Sequence, residues 1–332
     1  MKAMVLKAAG PVTSNPLRLV EVPRPEPGPE EVLIKVKACG VCHTDLHIVE
    51  GEIPHVKLPI IPGHQVVGEI ETLGPGAQRF VIGERVGVPW LHSTCGKCEF
   101  CRRGEENLCE QAKFTGYHVD GGYAEYICAP EDFCYRIPAQ YSDALTAPLL
   151  CGGVIGFRAL RLSGYQPGEK IGLFGFGASA HIVLQIAVYQ GCTVYVFTRS
   201  EAHRSLAKEL GAAWAGGAED IPPSPCDRAI LFAPSGKLVP LALKALRRGG
   251  VLSIAVIYLD RLPEMDYMEL LFWERVVRSV SNSTRKDVED LLALAPLIPI
   301  RTEVEIFPLN EAGKVLRLIK ESGLRGAAVL CP

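Results

Sequence analysis

At 332 residues the chain is longer than one ordinary core supports and suits two domains of common size, each able to bury a substantial interior. Charged residues make up 22% of it and the formal net charge is -2, which leaves no electrostatic footprint for gripping a phosphate backbone or an anionic membrane; neither nucleic acid nor a membrane surface is expected as a partner. The opening MKAMVLKAAGP has no long apolar run or small-residue cleavage site of a secretory signal, so a cytoplasmic location is expected.

In chain order, residues 1-148 carry short β-like runs broken by Gly and Pro, such as VLIKVKACG, VVGEIETLG and ERVGVPW. This is the texture of an all-β domain of barrel type. From 149 to 285 strand and helix alternate: IGLFGFG, a helix through HIVLQIAVYQG, TVYVFTR, a helix over EAHRSLAKELG, RAILFAP, a helix VPLALKALRRGG stopped by its terminal glycines, and GGVLSIAVI. Such alternation builds βαβ units and a doubly wound parallel sheet. Residues 286-332 offer a helical run, a proline-broken stretch, the strand EVEIFPL, the helix AGKVLRLIKE and a last strand AAVL, and are expected to return to the first domain. The fold class is therefore α/β plus all-β. The stretch from Ile171 to Thr198 has the length and apolarity of a membrane helix. Gly172, Gly175 and Gly177 at its start and Gln185 and Gln190 within it instead read as strand, turn, helix and strand.

Twelve cysteines in a reducing compartment point to metal rather than disulfides. The segment CGKCEFCRRGEENLC, residues 95-109, spaces Cys95, Cys98 and Cys101 three apart and adds Cys109 eight residues on. A tight loop can then turn four thiolates on one tetrahedral ion, and a filled shell leaves no place for substrate, which is the pattern of structural zinc. Iron-sulfur clusters use similar spacings, but nothing else in the chain resembles a ferredoxin. Cys39, Cys128, Cys134, Cys192, Cys226 and Cys331 are scattered and read as small buried hydrophobes.

Gly175, Gly177 and Ala180 make G-x-G-x-x-A between a strand and a helix, the setting in which this motif binds a dinucleotide pyrophosphate. The next strand would normally end in an acidic residue for the adenosine ribose. Thr198 stands there, followed by Arg199, with Ser200 and Arg204 nearby. A neutral residue removes repulsion and an arginine pairs with a 2′-phosphate, so NADP is favoured over NAD, which stays possible.

Catalytic zinc takes three protein ligands and keeps one position open. Cys42, His64 and Cys151 offer a suitable mixed set but lie far apart in sequence, and spacing alone does not join them. The runs CGVCHTDLH, PGHQVVGEIETLGPG, GERVGVPW, CGKCEFCRRGEENLC, TGYHVDGGYAEY, APLLCGGVIGFRAL and GFGASA resemble, in order and over nearly the whole chain, the landmarks of the zinc-dependent medium-chain alcohol dehydrogenases.

The resemblance implies a GroES-like β-barrel catalytic domain, a Rossmann domain, and two zinc ions per subunit, the catalytic one on Cys42, His64 and Cys151. It implies reversible hydride transfer between an alcohol and its aldehyde or ketone, with the substrate's proton leaving by the Thr44 hydroxyl, the cofactor ribose and His47. Asp45 is expected behind the zinc, orienting a histidine ligand. Gln65 departs from the family's usual glutamate and should leave the site more positive. Trp90 is expected to line the substrate channel, and Ile53, where relatives often carry tryptophan, to make it roomier. A homodimer or homotetramer is implied. The alternatives are a polyol or cinnamyl-type dehydrogenase with the same zinc machinery, or a non-catalytic zinc and dinucleotide-binding protein.

Overall fold

The apolar run from Ile171 to Thr198 resolves, in the computed structural model of the protein, into the strand Lys170–Phe174, the helix Ala178–Tyr189 and the strand Thr193–Phe197. The structure describes residues 1–298, 300–321, 323–324 and 326–332. Among them no single helix is long and apolar enough to cross a membrane. The chain divides into two units: 1–151 with 282–296 and 301–332, and 152–281 with 297–300.

The second unit is built on a six-stranded sheet in the order Trp214–Gly216, Thr193–Phe197, Lys170–Phe174, Cys226–Leu231, Leu246–Ile254, Val276–Ser279, with every pairing parallel. Ile171, Leu173, Phe174, Val194 and Val196 are wholly or almost wholly buried, as strands covered on both faces by helices require. Chain order reverses across the central strand, and the glycine turn leaves its end at that switch point, the usual ligand crevice of such sheets. Gly175 holds φ at +89°, where a Cβ would also lie 3.0 Å from the Ala233 backbone nitrogen; both facts select glycine.

One expected boundary moves. The helix drawn through VPLALKALRRGG ends at Ala245, and Leu246, Arg247, Arg248, Gly249 and Gly250 begin the strand Leu246–Ile254. Leu246 is buried and its carbonyl accepts the Arg275 guanidinium, Nη2 at 2.9 Å, so the chain extends before the glycines are reached. They serve a register shift against Cys226–Leu231 rather than a helix stop.

The first unit is organised around the strand Glu31–Val41. It pairs antiparallel with Val66–Leu73, Tyr126–Pro130 and Ala327–Cys331, in a seven-stranded sheet that continues to Arg85–Val88 on one side and Val304–Pro308 on the other. Ile34, Ile48, Ile60, Ile70 and Leu149 are fully buried here, each worth about 1.5–3 kcal/mol over exposure. Cys39 pairs with Val66, so the residues just past one strand and just before the other, Cys42 and His64, emerge at one end of the sheet. Leu150 packs its side chain on Gly87 of the strand Arg85–Val88, which brings the following residue, Cys151, to that end.

Candidate active site

Cys42 begins the helix His43–Glu50. Its backbone N–H donates to Asp45 Oδ2 at 3.0 Å, and an acidic residue in a first turn suits the helix dipole. His64 Nε2 lies 3.4 Å from Cys42 Sγ, and its other nitrogen, Nδ1, lies 3.2 Å from Asp45 Oδ1. The ligating atoms of Cys42, His64 and Cys151 all fall within 4.8 Å of one another. Residues remote in sequence thus converge because paired strands and a packed leucine deliver them.

The charges of this pocket are strongly coupled. A hydrogen bond from Cys151 pulls the Cys42 thiol well below its ordinary range, against burial and with help from His64 and the Thr44 hydroxyl. The Cys151 thiol is pushed up by that same bond and by burial. Burial presses the His64 imidazole down, but the Asp45 carboxylate and Cys42 outweigh it and carry it up to about 10. Burial raises the Asp45 carboxyl despite His64. Two sulfurs and an imidazole gathered at one point, with a carboxylate behind the ring, fit a zinc ion as donors.

Thr44 is half-buried beside Cys42. His47, three residues on along the helix, is buried, its side chain 10% exposed. Its Nδ1 is hydrogen-bonded to Glu52 Oε2, a partner that sequence reading missed. Gln65 is buried, its amide packed against Gly40. The Trp90 ring meets His64 edge-on, centroids 4.7 Å apart, and stacks on Phe114 at 5.2 Å. Tyr117 lies 5.6 Å from Trp90, and its hydroxyl donates to the carbonyl of Pro54. Ile53, in the same loop, is partly buried against the barrel core.

Cys95, Cys98, Cys101 and Cys109 also bring their sulfurs within 4.8 Å of one another, with Cys98 and Cys101 3.5 Å apart. The backbone N–H groups of Lys97 and Cys98 hold the Cys95 thiol down to about 6. Four converging sulfurs fit a zinc ion and no substrate. Glu106, between the third and fourth cysteine, is buried and accepts the Arg285 backbone N–H at 2.9 Å, tying this lobe to the start of the helix Arg285–Leu294. Of the scattered cysteines, Cys39, Cys134, Cys192 and Cys226 are buried and Cys128 and Cys331 half-buried.

In the second unit, Gly177 opens the helix Ala178–Tyr189 with no side-chain cap, and a Cβ there would meet nothing within 4 Å. Ala180 is fully buried. A bare helix start beside open space fits a pyrophosphate. Thr198 ends its strand with N–H donated to the Gly216 carbonyl at 2.8 Å, and Arg204 Nε donates to the Thr198 carbonyl at 3.0 Å. Ser200 accepts from the His203 N–H at 3.3 Å and caps the next helix. Arg199 is exposed.

A parallel sheet with a glycine turn at its switch point, together with a converging Cys-His-Cys set, defines a metal-dependent dehydrogenase of the nicotinamide-linked kind. Residues 28–139 match the alcohol dehydrogenase GroES-like domain. The chain is 47% identical over 99% of its length to a probable alcohol dehydrogenase, AdhA, of Mycobacterium tuberculosis, covering 97% of that protein. A cobalt- and zinc-bound thermostable alcohol dehydrogenase from Pyrobaculum aerophilum superposes with a TM-score of 0.91 at 27% identity, over 100% of this chain and 99% of that one. An NAD-dependent alcohol dehydrogenase gives 0.90 at 25%, with both chains covered in full. The chain belongs to the zinc-dependent medium-chain alcohol dehydrogenase family, and is an oxidoreductase for small alcohols or aldehydes that uses zinc and a nicotinamide cofactor.

Proposed function

We propose that the protein interconverts primary or secondary alcohols with their aldehydes or ketones, using NADP(H) in preference to NAD(H) and two zinc ions per subunit. The observation that carries this reading is the meeting of Cys42, His64 and Cys151 at one point with Thr44 beside them. Zinc on those three residues supplies a Lewis acid that lowers the pKa of a bound hydroxyl, and the nicotinamide supplies the hydride acceptor. Cys95, Cys98, Cys101 and Cys109 hold the second ion, which braces their lobe.

The side chains divide the remaining work. The Thr44 hydroxyl accepts the substrate's hydroxyl proton, and His47 holds it at the outer part of the relay. Asp45 fixes the tautomer and direction of His64. Gln65 adds no negative charge to the pocket. Trp90 and Ile53 bound the space for the substrate's carbon skeleton. Gly175, Gly177 and Ala180 admit the cofactor pyrophosphate, while neutral Thr198 and the exposed Arg199 guanidinium favour a 2′-phosphate.

The edge strand Val276–Ser279 is exposed at every residue, and Trp273 beside it is 40% exposed. An apolar open edge of this kind supports a homo-oligomer that pairs these strands. The aromatic group of Trp90, Phe114 and Tyr117 next to His64 favours one second reading, a cinnamyl-type enzyme for aromatic alcohols.

The deciding experiment compares initial rates of benzyl alcohol oxidation and benzaldehyde reduction with NADP(H) and NAD(H), before and after chelation of weakly held zinc. Zinc-dependent turnover favouring NADP(H) is expected. A preference for NAD(H) removes the phosphate assignment alone, and no turnover in the zinc-loaded, cofactor-bound protein moves the reading to a different substrate class or to a non-catalytic binding protein.

A further inference from the structure

We infer that Glu52 is the outlet of the proton relay, taking the proton from His47 and passing it to water. The inference rests on the relay reading of Thr44 and His47. It starts from a burial mismatch: the His47 side chain is only 10% exposed, whereas that of Glu52 is 42% exposed. A proton that reaches His47 has little direct access to solvent and needs a carrier. His47 Nδ1 is hydrogen-bonded to Glu52 Oε2; because a carboxylate only accepts, Nδ1 carries the hydrogen, and in the neutral ring Nε2 is the nitrogen that takes up a proton.

The local backbone builds this contact. Gly51 ends the helix with φ at +77°, a left-handed turn that glycine takes at little cost. The turn sends the Glu52 N–H back to the His47 carbonyl at 2.9 Å, so the Glu52 side chain folds over the histidine ring. Two other groups lie near His47. His43, on the same helix, has its ring 6.4 Å away. The Glu50 carboxylate accepts the Val12 N–H at 3.0 Å and is paired at 2.7 Å with Lys320, from the helix Ala312–Lys320 that packs alongside. Glu50 is thus committed to its own partners, whereas Glu52 touches the ring and is also open to water.

The transfer is balanced without any change in electron count. In alcohol oxidation a proton arriving at His47 forms Nε2–H; the Nδ1–H bond breaks as Oε2–H forms on Glu52; and Glu52 releases that proton to water or a buffer base. A half-turn of the ring returns an N–H to face the carboxylate. Carbonyl reduction runs the same path inward. The route makes Glu52 a positioning and carrier group that acts through His47, away from the substrate itself.

Glu52→Gln separates carrying from orienting, because the amide oxygen still accepts from Nδ1 but takes no proton near neutral pH. The measurement is proton release during the first turnover of the zinc-loaded enzyme with cofactor and benzyl alcohol, followed by stopped flow with an indicator dye in weak buffer. Release by Glu52→Gln should be about tenfold slower and recover on adding formate or imidazole, with Glu52→Asp within about threefold of the parent. If Glu52→Gln releases its proton at the parent rate while His47→Gln is slow, Glu52 only orients the ring and the proposal is overturned. If His47→Gln itself releases at the parent rate, the relay reading falls and takes this proposal with it.

Discussion

Asp45 Oδ1 lies 3.2 Å from His64 Nδ1, with both side chains wholly buried. The other oxygen of the same carboxylate accepts the Cys42 N–H, so one residue steers two candidate ligands. An amide at this position satisfies either the ring N–H or the backbone N–H with its oxygen, and turns its NH2 against the other. Asp45→Asn is therefore expected to weaken metal binding about 10–100-fold, read by competition against a chromophoric chelator. Unaltered retention would remove Asp45 from the metal centre.

Gln65 leaves the pocket without the negative charge that a glutamate would bring, and a cation there is then more effective at drawing a proton off a bound hydroxyl. Gln65→Glu should move the acidic limb of the kcat profile upward by about one pH unit, a shift equivalent to 1.36 kcal/mol. An unmoved limb in an enzyme that still holds its metal would show that this residue does not set the proton affinity.

Thr198 and Arg199 make a separable claim in the second unit. Arg199→Ala removes an exposed guanidinium, and a charge-assisted hydrogen bond is worth about 1.5–3 kcal/mol. The kcat/KM for NADP+ is expected to fall about 10–100-fold, at 1.4 kcal/mol per tenfold, with NAD+ little changed. An equal loss for both cofactors would mean that Arg199 contacts something they share.

His92 is a stability rather than a catalytic matter. Burial, aided by the Lys113 charge, holds its imidazole down at about 4 against an ordinary 6.5. The unfolded chain then binds a proton between those values that the folded chain refuses, so the contribution is full above 6.5 and is lost as pH falls towards 4. Melting temperatures recorded across that window should drop less steeply for His92→Gln than for the parent. Parallel curves would show that His92 takes up its proton as readily in the fold as in the unfolded chain.

Legibility in the sequence followed the range of the interactions. The lobe of Cys95, Cys98, Cys101 and Cys109 could be read outright because its geometry is set by spacing within one loop. The glycine turn at Gly175 could be read because its strand and helix flank it. Cys42, His64 and Cys151 needed the family resemblance, since what joins them is the pairing of Cys39 with Val66 and the packing of Leu150, which leave no local pattern. Arg247 to Gly250 misled in the opposite way: two glycines after a helical run look like a stop, yet the burial of Leu246 had already drawn the backbone into a strand. Glu52 was five residues from a suspected relay histidine and still went unnoticed, because only the left-handed turn at Gly51 folds it back.

The pairing of Ala328 with Val41 has a further consequence, for the nascent chain. The strand that leads into Cys42 leaves the ribosome early, but its sheet neighbour follows roughly 290 residues later, which at about 5–20 residues per second is between a quarter of a minute and a minute. Throughout that interval the Cys39–Val41 end of the strand's edge lacks its partner and is available to wrong ones, while the second unit, almost continuous in sequence, has all but four of its residues in hand before the wait is over. Expression and refolding yield should accordingly be limited by the first unit, and a chaperone that shields an unpaired strand should help more than one that holds a molten helix.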